Sequence, residues 1–181
     1  MLPVFLFNNV MEIQENIVNK VAASGLITLN LESYYDQGER IIYDIKDNLF
    51  HGLMLREKDF REFIKTHEWE SYAGKNVAVI CSADAIVPTW AYMLLATKLK
   101  PYANEVVFGN LETLEAVLFT RALAKIDLES FRDERIVIKG CADVTVPVAA
   151  YVEITNLLTP VVKSIMYGEP CSTVPLFKRK A

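Results

Sequence analysis

The chain has 181 residues, 52% of them hydrophobic and 23% charged, with a formal net charge of −4 and a pI near 5.3. That length suffices for one well-buried core, and the hydrophobic content excludes a disordered chain. The acidic balance excludes an electrostatic nucleic-acid binder, since the one basic run, Lys178 to Lys180, reads as a solvated tail.

In chain order, residues 1–10 (MLPVFLFNNV) carry no basic n-region and no cleavage site, and read as an over-extended start or a disordered segment. Residues 11–181 are expected to form a single α/β domain. The sequence from Met11 places Ile13, Ile17, Val18 and Val21 at helical spacing, with Gly25 as the stop. Residues 26–31 (LITLNL) alternate as a half-buried strand, and Asp36-Gln37-Gly38 is turn chemistry. Residues 40–45 and 49–55 are two further extended candidates, and residues 57–66 put Phe60, Phe63 and Ile64 on one helical face.

From Lys75 onward strands and helices alternate: NVAVIC, a helix to about Lys100, EVVF, a helix capped by Asn110, RIVIKG, and a last helix. Short apolar strands between helices predict parallel βαβ crossovers, with helices on both faces of a mostly parallel sheet. Tyr151, Ile154, Leu158, Val161 and Ile165 hold helical phase through Pro160, so the last helix is expected to continue with a kink and carry Cys171 to the opposite sheet edge. The apolar run over residues 85–97 contains Pro88 and is too short to span a bilayer, so no membrane segment is expected.

One internal repeat stands out. CSADAIVPTWAY from Cys81 and CADVTVPVAAY from Cys141 share strand, Cys, Asp-x-x-Val-Pro-x-x-Ala-Tyr, helix, which points to a duplicated unit. Loops after parallel strands emerge at the carboxyl edge, where ligands bind. If the two strands are neighbours, Cys81, Asp84, Cys141 and Asp143 converge on one site. Cys171 would then be a third thiolate for a mixed-ligand zinc or iron centre. The alternatives are structural: the aspartates as N-caps, the prolines in first helical turns, and the cysteines as small buried hydrophobes.

A thiol beside a helix N-terminus would favour the thiolate, which makes Cys81 and Cys141 candidate nucleophiles, with Lys139 adding positive charge near Cys141. No Arg stands six positions beyond either cysteine, and no glycine-rich phosphate loop is present, so thiol-phosphatase chemistry and nucleotide binding by a standard route are not expected. His51 and His67, the only histidines, show no ligand spacing. Three cysteines without an export signal fit reduced thiols in the cytoplasm. The apolar content suggests a homo-oligomer.

Residues 21–31, 81–95 (CSADAIVPTWAYMLL) and 167–177 (YGEPCSTVPLF) resemble a bacterial family catalogued as domain of unknown function 2480, a likeness that covers nearly everything after Met11. The resemblance implies no established activity. It implies an association with iron–sulfur cluster assembly, and so assembly proteins as partners. Three readings follow: a non-enzymatic metal- or iron–sulfur-handling accessory protein, a thiol enzyme or persulfide relay using Cys81 or Cys141, and a non-catalytic scaffold.

Overall fold

The computed structural model describes residues 25–140 and 143–180. The helix predicted from Met11 to the Gly25 stop, the possible over-extended start before it, and Cys141 itself lie outside those residues. In chain order the elements are β1 (Leu26–Asn30), β2 (Arg40–Asp44), α1 (Glu57–Thr66), β3 (Asn76–Ile80), α2 (Thr89–Leu99), β4 (Glu105–Phe108), α3 (Leu111–Leu123), β5 (Arg135–Lys139), α4 (Val148–Leu158), β6 (Ser164–Glu169) and β7 (Ser172–Lys178). Strands and helices alternate as expected, and the fold is α/β.

The strands divide between two sheets. One has the order β2-β3-β4 and is wholly parallel; the other has the order β1-β5-β6-β7, parallel except for the β6–β7 hairpin. The two units follow the same plan. In each, a strand ends in a short 3₁₀ turn capped by its last residue: Asn30 accepts from the Glu32 amide, and Asp44 from the Lys46 amide. Each then adds a middle strand, a helix led in by proline (Pro88, φ −64°; Pro147, φ −66°) and a further parallel strand.

Packing follows side-chain alternation along the strands. In the three-stranded sheet Val77 and Val79 join Phe60 and Ile64 of α1 and Ala91, Leu95 and Leu99 of α2 in one core. Ala78 points to the other face, against Leu114 and Leu118 of α3. In the four-stranded sheet Ile136, Ile138 and Ile165 pack on Ala150, Ile154 and Leu158 of α4 and on Phe119 and Leu123 of α3. Helix α3 therefore carries two apolar stripes and joins the units.

Two expectations are corrected, and one open question, strand order, is answered. Residues 49–55 form no strand; they make an irregular turn with isolated bridges Phe50–Met54 and Met54–Ile86, and His51 and Gly52 both take positive φ. The strands before Cys81 and Cys141, β3 and β5, are not neighbours but belong to different sheets. The last helix does not run on through Pro160. It ends at Leu158, the amides of Val161 and Val162 turn back to the Leu158 carbonyl, and the chain reverses into β6. Proline lacks the N–H a continuing helix needs. Ile154, Leu158, Val161 and Ile165 kept helical phase in sequence because the residues on both sides of the reversal are buried. Among the described residues no helix is long and apolar enough to cross a membrane.

Candidate functional site

Each unit has a carboxyl edge where its repeat loop emerges. In the first unit Asp44, at the end of β2, accepts from the amides of Lys46 and Ser82, both at 3.1 Å, and pairs with Lys46 Nζ at 3.3 Å. Partial burial pushes its carboxyl up, but the hydroxyl and amide of Ser82 and the contacts with Lys46 outweigh that and hold it at about 2. Cys81 is half-buried beside this anion, and its Sγ lies 3.4 Å from the Ala83 carbonyl oxygen. Burial first, then the charges of Cys81 and Asp44, push the Tyr92 hydroxyl up. The Tyr92 ring meets Phe108 edge-on at 5.1 Å, and Phe108 is 68% exposed. Asp84 is exposed on the loop.

In the second unit the Asp143 amide donates to Glu32 Oε1 at 2.9 Å, which ties the loop after β5 to the turn after β1. The Tyr151 hydroxyl donates to the Gly140 carbonyl oxygen, and its ring meets Tyr167 edge-on at 5.8 Å. Gly140 has φ +156°, and a Cβ there would stand 3.0 Å from Leu31 Cβ and 3.3 Å from the Tyr151 oxygen, so backbone and packing both call for glycine. Gly140, Asp143, Thr145, Tyr151 and Tyr167 line a cavity of about 390 Å³.

Because β6 runs parallel to β5, its end lies at this same edge. Lys139 Nζ reaches Glu169 at 3.4 Å, and Cys171 follows in the exposed turn between β6 and β7. The expected delivery of Cys171 to the opposite edge is therefore wrong. The condition for convergence of Cys81 and Asp84 with Asp143, neighbouring strands, is not met, because the two loops follow strands of separate sheets. Among the described residues no three His, Cys, Asp or Glu side chains are grouped closely enough to hold a metal ion.

The helix-dipole argument for activated thiols also weakens. Helix α2 begins at Thr89 and α4 at Val148, each several residues past its cysteine, and both are preceded by proline with no side-chain cap, so neither aspartate is an N-cap. Lys139, expected to add positive charge near Cys141, is engaged by Glu169. His67 packs among the rings of Tyr43, Phe63, Trp69 and Tyr72, while His51 sits on an exposed turn.

Sequence reasoning missed the polar seam between the units. Asn76, fully buried, donates to Asp36 at 2.6 Å and accepts from Asn104 at 2.8 Å. Arg40 forks onto Glu115 of α3 at 2.5 and 3.1 Å and lies over the Tyr35 ring, and Arg121 of α3 pairs with buried Glu105. Burial raises the Asp36 carboxyl, but Asn76, Gly38, Arg40 and Asn104 together leave it lowered. Beside the seam a cleft of about 660 Å³ is lined by Tyr34, Tyr35, Glu105, Arg121, Lys125 and Phe131. Only the opening asparagine of NVAVIC hinted at this seam. The paired aromatics had a clearer signal, since Tyr92 and Tyr151 end the two copies of the repeat.

Two parallel-dominated sheets sharing a helix, each ending in a Cys–Asp loop, define the class: an α/β protein with a paired carboxyl-edge plan. The model of the family described as "Protein of unknown function (DUF2480)" matches residues 15–179, so the chain belongs to that family. No curated protein and no solved structure shows a significant match to it.

Proposed function

We propose that this protein is a non-enzymatic accessory that handles iron or zinc, or an iron–sulfur cluster, as cargo in the cytoplasm, working with iron–sulfur assembly proteins. The cargo edge is that of the second unit. Its donors are Cys171 and Cys141, with Asp143 or Glu169 as carboxylate ligands. One observation carries the reading: the reversal after Leu158 brings Cys171 to the edge where the loop containing Asp143 emerges. Thiolate and carboxylate together suit zinc or iron. The described donors do not form a closed set by themselves, so the remaining ligands come from Cys141 or from a partner. An exposed, incomplete ligand set suits a cargo that must leave again.

The alternative of a thiol enzyme or persulfide relay is less favoured at Cys81, because α2 begins only at Thr89, several residues past the cysteine, so no helix N-terminus stands beside the thiol. Asp84 and Cys81 drop out of the ligand set because they belong to the other unit.

The test is metal and acid-labile sulfide analysis of protein purified without oxygen. The parent is expected to carry metal, the double variant Cys141→Ser/Cys171→Ser to lose it, and Cys81→Ser to keep it. Metal-free parent protein that also takes up no iron or zinc on titration overturns the proposal, as does loss on Cys81→Ser alone. In the first case a scaffold role, with the loops purely structural, becomes the better reading.

A further inference from the structure

Sheets in α/β proteins are covered on both faces. The three-stranded sheet obeys, with α1 and α2 on one face and α3 on the other. The four-stranded sheet has α3 and α4 on one face only. Its second face presents a row running across the strands, Thr28, Val137, Met166 and Pro175, with Arg135 and Lys139 alongside. No described helix packs across this row, whose ends Thr28 and Pro175 are exposed while Val137 at its centre is buried.

We infer that residues 13–24 dock as a helix on this second face, as the counterpart of α3 on the other sheet. Three observations converge. Gly25 has φ +61° and lies immediately before β1, the conformation that ends a helix and reverses the chain into the next strand. Ile13, Ile17 and Val21 make one apolar stripe directly upstream. The family match begins at residue 15, so this segment belongs to the matched domain. The dimensions agree: twelve helical residues span about 18 Å, a five-residue strand about 17 Å. A helix about 10 Å wide covers two to three strands at about 4.8 Å spacing, which reaches from Thr28 over Val137 to Met166. With the reversal at Gly25, the helix runs antiparallel to β1 and needs no further linker.

Hydrogen exchange on the full chain tests this. In the parent, amides of residues 15–22 are expected to exchange at least tenfold more slowly than an unstructured chain. Ile17→Asp, on the segment, and Thr28→Glu, at the exposed end of the row, should each return them to the unstructured rate while β5 amides stay protected. An unprotected segment in the parent overturns the inference. So does a segment whose protection survives Thr28→Glu, since it would then dock elsewhere, and so does protection that vanishes on dilution, since the occupant would then come from a second copy.

Discussion

The two units have one plan and two endings. In the first, β4 is the last strand and Phe108 stands 68% exposed at its end; in the second, the equivalent β6 is covered by β7, and Tyr167 in Phe108's place is 39% exposed. The hairpin that covers the edge also adds the turn bearing Cys171. The turn bearing Cys171 is what the second unit adds, while the Cys–Asp loops belong to the shared plan. The first strands differ as well: Asp44 and Asn30 cap the same turn in the two units, one charged and one neutral.

The harshest way to break this comparison is to remove the helix both units use. Phe119, 1% exposed on α3, packs in the second core while Leu114 of the same helix packs on the first sheet. Phe119→Ala is expected to cost about 3–5 kcal/mol, and circular dichroism and tryptophan fluorescence should still follow a single denaturant transition. Both tryptophans, Trp69 and Trp90, lie in the first unit, so two separated transitions would show that the units are independent.

Next in size is the seam. Asn76→Ala strips hydrogen-bond partners from Asp36 and Asn104 at a fully buried position, and about 1–3 kcal/mol should be lost in urea melts.

Asp44 makes the first unit sensitive to acid. Its carboxyl is held at about 2 against an ordinary 3.8. A lowered carboxylate contributes stability that is complete above the ordinary value and is lost as pH falls through the lowered one, so the window is about pH 4 to 2. The size is of the order of 1–2 kcal/mol, and Asp44→Asn, which makes the cap match Asn30, should remove that part of the acid dependence of melting.

The smallest contrast is between the tyrosines. Tyr151→Phe gives up the hydrogen bond to Gly140 and should cost about 1 kcal/mol. Tyr92→Phe should cost close to nothing, because the Tyr92 hydroxyl makes no hydrogen bond among the described residues. Equal losses in thermal melts would mean that the two carboxyl edges are more alike than their contacts indicate.

Much of the fold was legible in the sequence because apolar runs and caps are local signals. The strands at 26–30, 40–44, 76–80, 105–108 and 135–139, the helix at 57–66 and the Asn110 cap all lie where periodicity put them. Strand partnership was not legible, since it depends on which faces α3 covers, and that decided which cysteines could meet. The β6–β7 hairpin was hidden because burial on both sides of Pro160 mimics helical phase. Of the candidate site, the repeat and its exits at the carboxyl edges could be read; the seam could not, because Asn76, Asn104 and Glu115 acquire meaning only when they face one another.

The connectivity is nested. β1 opens the second unit, yet its partner β5 is made only after every strand and helix of the first unit has been synthesised. At ordinary translation rates the roughly 100 intervening residues take about 5–20 s to emerge. By the end of that interval the three-stranded sheet has all its strands, while β1 is still an unpaired edge. The chain thus closes like a bracket around a finished clause, with Leu26–Asn30 waiting for Arg135–Lys139.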